Sequence, residues 1–475
     1  MKKLILGTAA LLAVASSALA ADLPPRTYTK APIAAQIYDW TGFYVGANIG
    51  VGVARDPSGL LVTSIVQQNP QSYLSPIGAI GGAQAGYNWQ SGNLVLGLEA
   101  DIQASGMRDS STCTFGCTIA AGVFTPTQSL DWFGTARVRA GLATGPVFTY
   151  VTGGFAFGEV KTTSAGVFAG TGPLAATRSD VKTGWTLGSG VEASLGGNWT
   201  GKIEYLYVDL GNQFLPGTAA PFPANTSVDT REHIFRAGVN YRIGGTRAYA
   251  EGPASNWSGL YAGLNAGSGL ARNAYTFGII APAPTTADQL TLMPKGFLGG
   301  GQAGYNWQAA NWVYGLEADI QGTNVRDGDN CMVTCSILLG ASTKQSLPWF
   351  GTVRGRLGYS LGSTLYYGTA GLAYGEVKND TTAFAVGVPS FRSVSSHTQA
   401  GWTAGGGIES PLELFGLFGK NWSVKSEYLY VDLGSYSGDN FAFAGRTFAS
   451  SGKVQEHIVR SGINYHFNSP VVARY

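Results

Sequence analysis

Between Leu94 and Gln103 the chain alternates. Leu94, Leu96, Leu98, Ala100 and Ile102 fall on one face, and Val95, Gly97, Glu99, Asp101 and Gln103 on the other. Period 2 predicts a β-strand with one apolar face and one polar, acidic face. In a soluble sandwich the charges would look at water. In a membrane barrel the apolar face meets lipid and the charges face the lumen. The same period runs through other segments. Trp132, Gly134, Ala136, Val138, Ala140 and Leu142 share a face opposite Arg137 and Arg139, while Ile203, Tyr205 and Tyr207 lie opposite Lys202 and Glu204. Phe235, Val239 and Tyr241 oppose Arg236 and Asn240, and Glu192 opposes Trp185, Leu187, Val191 and Leu195.

The pattern occurs twice. GAQAGYNWQSGNLVLGLEADIQ at Gly82–Gln103 returns as GGQAGYNWQAANWVYGLEADIQ at Gly300–Gln321, and WTGFYVGANIGVG at Trp40 returns as WSGLYAGLNAGSG at Trp257. The repeat is too long for a solenoid or propeller blade and reads as a duplicated domain. The first copy holds eight predicted strands, near 40–53, 81–91, 94–105, 129–142, 147–160, 181–195, 199–210 and 231–243. Tight links at Ser91–Asn93, Ala143–Pro146 and Gly196–Asn198 alternate with long polar loops near 54–80, 106–128, 161–180 and 211–230. Short turns at one end and long loops at the other, around an even number of antiparallel strands, predict an all-β outer-membrane barrel. A sandwich has no reason to keep that alternation.

The inward positions of copy one then hold Glu99, Asp101, Glu192 and Glu204 against Arg137, Arg139, Lys202 and Arg236. Copy two holds Glu317, Asp319, Glu409 and Glu427 against Arg354, Arg356, Lys425 and Arg460. A barrel of eight strands is narrow enough to be filled by side chains, and buried charges there must pair. A catalytic use of Glu99 and Asp101 would need partners that are absent from the sequence pattern, which has no Ser–His–Asp set and no metal cluster. No enzymatic activity, cofactor or metal is expected. His233 and His457 sit at equivalent places near the start of the last strand, where a structural role at the interface is expected. Whether strand eight closes on its own copy, giving two tandem eight-stranded barrels, or on the other, giving one sixteen-stranded barrel, is open from pairing alone. The linker 244–256 and the balanced inward charges favour two.

Lys2 and Lys3, the apolar run Leu4–Ala15 and the Ala18-Leu19-Ala20 cleavage signal read as a secretory signal peptide over 1–20, followed by a Pro-rich periplasmic leader, 21–39. Loss of those two lysines brings 30 basic residues level with 28 acidic ones. No basic excess remains to suggest nucleic acid. No run of 18 apolar residues follows, so no spanning helix is expected. Only 12% of residues are charged and 12% are aromatic, which suits strands facing lipid. Cys113 with Cys117, and Cys331 with Cys335, are candidates for two local disulfides in an oxidising compartment. A zinc site lacks nearby ligands.

The leader ADLPPRTYTKAP before WTGFYVGANIG, the internal GAQAGYNWQ and LGLEADIQ, the WFGTARVRAG strand and the closing HIVRSGINYHF resemble the small outer-membrane β-barrel family of alphaproteobacterial surface antigens, also labelled porin-family or outer-membrane immunogenic proteins. The resemblance covers both repeats, 40–243 and 257–467. It implies residence in the Gram-negative outer membrane among lipid and lipopolysaccharide, and insertion by the barrel-assembly machinery with periplasmic chaperones. Phe467 resembles the terminal aromatic assembly signal, although the chain continues through the tail 468–475; copy one ends in Ile243 and lacks the aromatic. Family roles include envelope integrity and surface antigenicity, with haemin binding or weak pore activity in some members. The histidine count does not favour haem, though a tyrosine could be its ligand.

Overall fold

The computed structural model describes residues 38–62, 71–111, 113–114, 122–168, 172–244, 255–282, 288–336, 339–385, 387–412, 421–438 and 440–467. The signal peptide, the leader up to residue 37, most of the linker and the tail lie outside the described residues. Described strands form two antiparallel sheets, each closed into a ring of eight staves.

The first ring comprises β1 (Gly42–Ala54), β2 (Ile77–Ser91), β3 (Leu94–Ser110), β4 (Gly122–Thr144), β5 (Val147–Phe168), β6 (Leu174–Gly196), β7 (Trp199–Leu215) and β8 (Phe222–Ile243). The second comprises β9 (Gly259–Ala271), β10 (Lys295–Ala309), β11 (Trp312–Ser336), β12 (Leu339–Leu361), β13 (Thr364–Ala385), β14 (Val388–Pro411), β15 (Trp422–Ser437) and β16 (Arg446–His466). Neighbours in sequence pair throughout. β8 closes on β1 with Phe43 opposite Ile243 and Ala54 opposite Glu232. β16 closes on β9 with Tyr261 opposite His466 and Ala271 opposite Glu456. Each copy thus consumes its own edges, and the chain is two tandem eight-stranded barrels.

Outward side chains draw the membrane band. On β11, Trp312, Tyr314, Leu316 and Ile320 are all about half exposed, and the outward position four residues after Ile320 is the polar Asn324. That apolar run matches the roughly 9–11 residues a tilted strand needs to cross. T-shaped pairs Trp199–Tyr241, Trp312–Tyr359 and Trp422–Tyr465 ring the tight-turn end, as interfacial aromatics do. The tight-turn end is periplasmic by topology.

Three expectations about the strands need correction. The staves run much further towards the long-loop end than expected; β4, for example, begins at Gly122 and β8 at Phe222. Thr- and Ser-rich segments predicted as loops pair as strands above the membrane, because a backbone ladder satisfies their amides without any apolar face. The first long loop also carries a hairpin, Asp56–Val62 against Gln71–Leu74, which leans on β8. Trp40 lies before β1, not in it. It is 1% exposed and stacks tilted on Phe148 inside the periplasmic mouth.

Candidate functional site

Each lumen gathers buried charge in successive levels. Facing inward from β3, Glu99 and Asp101 stand opposite Arg137 and Thr135 of β4. Glu99 accepts hydrogen bonds from Arg137, from Lys202 Nζ at 2.8 Å, from Tyr44 at 2.9 Å and from Arg139 at 3.2 Å. Asp101 accepts from Arg137 and Arg236, both at 2.8 Å, and from Thr135 at 2.8 Å. Glu204 accepts from Arg236 at 2.7 Å, Tyr150 at 2.8 Å and Arg137 at 3.0 Å. Glu192 accepts from Asn240 at 2.8 Å and pairs with Arg139, whose guanidinium lies 4.0 Å from the Tyr150 ring centre.

The second lumen repeats this residue for residue. Glu317 is held by Arg354, Lys425 at 2.8 Å, Tyr261 at 2.7 Å and Arg356 at 3.5 Å. Asp319 takes Arg460 at 2.7 Å and Arg354 at 2.8 Å, while Glu427 takes Arg460 at 2.7 Å and Arg354 at 3.3 Å. Glu409 takes Arg356 at 2.6 Å, and Arg356 lies 4.0 Å from the Tyr367 ring centre. Each oxygen of these eight carboxylates meets a cation, a hydroxyl or an amide, which offsets the desolvation of so many ions. Glu99 and Asp101 are fully buried and spanned by Arg137, leaving no space for a substrate between them.

Sequence reasoning missed what lies above and below the charges. Towards the periplasm, Tyr38, Trp40, Val95 and Phe148 fill the first barrel, and Trp257, Val313 and Leu365 the second. Towards the cell exterior, Met107, Phe133, Leu206, Val208 and Ile234 form an apolar layer, matched by Phe350, Leu429, Val431 and Ile458. The outer mouths close over Leu60, Phe124 and Leu174 in one barrel, and over Tyr275, Phe277, Leu292 and Phe448 in the other. Leu60 and Tyr275 come from the long loops. The available signal was parity: Leu206 and Val208 share the face of Lys202 and Glu204.

The inward charge is also not the balanced four against four. Glu232, inward on the parity of Arg236, is 1% exposed, and both its carboxylate oxygens lack a hydrogen-bond partner among the described residues. Glu456 is its equivalent, with one such oxygen. His466 is a further inward group, 3.0 Å from Ser423 Oγ and 3.6 Å from Glu409. His233 and His457 face outward and pair through Nδ1 with Tyr205 at 2.8 Å and Tyr428 at 2.7 Å.

Cys117 and the side chains of Cys113, Cys331 and Cys335 lie outside those described, as do the candidate disulfides. Among the described residues no group of three or more His, Cys, Asp or Glu is placed to hold a metal. Phe467 follows β16, donates its amide to Leu260 at 3.0 Å and stands edge-on to Tyr465 with ring centres 5.2 Å apart.

The family comparison follows the same repeat. The family model described as an outer membrane protein beta-barrel domain matches residues 6–242 and again 244–467. A 31 kDa outer-membrane immunogenic protein of Brucella melitensis is 40% identical over 223 residues, 45% of this chain and 84% of that protein. A 22 kDa outer membrane protein of Rhizobium leguminosarum is 33% identical over 218 residues, 45% of this chain and 80% of that one. Among solved structures, Ail of Yersinia pestis covers 44% of the chain at 10% identity and a TM-score of 0.21.

Proposed function

Since the chain belongs to the outer membrane protein beta-barrel family and resides in the outer membrane of Gram-negative cells, we propose that it is a closed, non-conducting pair of barrels that anchors a surface-exposed structure in the envelope. One observation carries this reading: each lumen is occupied at successive levels by apolar side chains, an ion-pair network and a second apolar layer. A charged network alone could let water and ions seep between its members. Apolar layers on both sides narrow that route, because apolar side chains cannot solvate a passing ion. The extended staves and loop hairpins then present the long-loop ends to the exterior, in keeping with the immunogenic character in the names of the Brucella relatives. Its partners in this reading are outer-membrane lipid, lipopolysaccharide, and the assembly machinery and chaperones that insert it.

The test is conductance of the refolded mature chain in planar bilayers. Closed barrels give no steps, or rare small ones. Stable, large steps, or sugar uptake by liposomes carrying the protein, would establish a porin instead. Inward replacement of the first barrel's apolar layer, Phe133→Ser with Leu206→Ser, should create conductance only if that layer is the seal.

A further inference from the structure

The two barrels meet at two levels and leave a space between. At the extracellular level the contact is reciprocal. Arg55, just after β1, reaches Asp327 and, at 3.0 Å, Asp329. Arg272, its equivalent in the second copy, donates to the Ser75 carbonyl at 3.0 Å and lies 3.7 Å from Asp109, the equivalent of Asp327. Beneath these bridges Val53 and Phe235 pack with Leu270 and Met293. At the tight-turn level Val147, Val191 and Ala193 meet Ile408, and the Tyr366 hydroxyl donates to the Ser194 carbonyl. The fold therefore joins the pair twice, above and below.

Between these contacts lies a crevice of about 750 Å³. Ile49, Ile203 and Ala237 form one wall, and Leu357 and Gly368 the other. Ile49 is 70% exposed and Leu357 60%, so among the described residues no side chain fills the gap. Lys202, Glu204 and Arg236 border it too, but their side chains are fully buried in the lumen network and do not face it. At the periplasmic end Trp312 and Tyr359 stand beside it, at the depth of the aromatic girdle.

We propose that this crevice is a binding site for one acyl chain of a phospholipid from the periplasmic leaflet. Its depth is that of the hydrocarbon band, where a void would forfeit dispersion contacts along both walls and water would find no polar partners. A hydrocarbon chain supplies those contacts. The bridges of Arg55 and Arg272 hold the walls in place, so little order is lost when the chain enters. Those bridges close the extracellular end, whereas the Trp312–Tyr359 pair marks an interface at which a headgroup can rest. Entry from the periplasmic leaflet follows. The proposal rests on membrane residence and not on whether the barrels conduct.

Gly368 offers the means to test it. A Cβ there would meet only the Gly405 carbonyl, at 3.9 Å, so a larger side chain can fill the crevice without straining the stave. The mature protein is purified from outer membranes in mild detergent and its bound lipid counted by native mass spectrometry. One phospholipid should survive detergent exchange in the parent protein and in Ala100→Leu, an outward change outside the crevice. It should be lost, by tenfold or more in occupancy, from the double variant Gly368→Leu with Ala237→Leu. Heat-modifiable migration verifies that each variant is folded. Equal retention by the filled variant, no retained phospholipid in the parent, or retained lipopolysaccharide in its place would each overturn the proposal.

Discussion

The two barrels carry the same charged midsection and differ at their ends. Tyr44, Glu99, Arg137 and Arg139 have the same bonds in barrel one as Tyr261, Glu317, Arg354 and Arg356 in barrel two. The outer mouth of barrel one closes on Leu60, Phe124, Leu174 and two alanines, while barrel two uses Tyr275, Phe277, Ile279, Leu292, Phe443 and Phe448. The tight turns differ too. Gly92 at φ +61° is replaced by Ala310 at φ +53°. Asp56, whose carboxylate accepts the Arg231 amide, becomes Asn273, which accepts the Gln455 amide. A network of many mutually dependent ions tolerates no single change, since each loss strands a buried charge. An apolar mouth needs only sufficient volume, so its residues drift.

If the midsections are energetically equal, breaking either should cost the same. Arg137→Met and Arg354→Met are each expected to destabilise their barrel by about 3–5 kcal/mol, because each leaves three carboxylates short of a cation. Urea unfolding in detergent, followed by the loss of heat-modifiable migration, measures both. Costs differing by more than about 1.4 kcal/mol, a tenfold change in equilibrium constant, would show that the like-looking networks are not equivalent.

A second comparison concerns the unpartnered acids. Glu232→Met removes a carboxylate with two unpartnered oxygens and should stabilise barrel one by about 1–3 kcal/mol, whereas Glu456→Met should gain less. A destabilised Glu232→Met would mean that the carboxylate has a partner. The turns give a smaller effect of opposite sign in the two copies. Ala310→Gly relieves a left-handed alanine and should stabilise by up to about 1 kcal/mol, and Gly92→Ala should cost a similar amount. Equal responses in both would place the strain elsewhere.

The smallest effect is at the exterior hairpins. Arg392 of β14 pairs with Asp380 of β13 and so joins two staves by an ion pair, while Arg178 pairs with Asp180 along its own stave, β6, and donates to the Phe214 carbonyl of β7 at 3.1 Å. Arg392 holds the Asp380 carboxyl below its ordinary range. A depressed carboxyl contributes stability above the ordinary Asp value near 4, lost as pH falls through the lowered one. Hydrogen exchange at the β13–β14 tip should therefore accelerate on acidification in the parent and not in Arg392→Gln. The pair is solvent-exposed and screened, so the change stays local.

The sequence by itself determined the alternation, the antiparallel order, the tight turns at one end and the identity of the mutually paired inward ions. These are local matters: parity decides a face, and a face in lipid must be apolar. Only the tertiary structure decided closure, because β8 and β16 have nearly identical edges and either β1 or β9 would satisfy their amides. It also decided which apolar residues are lumen and which are lipid-facing. Leu98 and Leu206 are indistinguishable as letters, yet the first is 51% exposed and the second fully buried. Phe235 and Val191 have outward parity and are each only 8% exposed, since the second barrel covers them. GLEADIQ named the ions of one stave; the ring brought them within reach of the arginines, and the neighbouring barrel turned part of the lipid face into a wall.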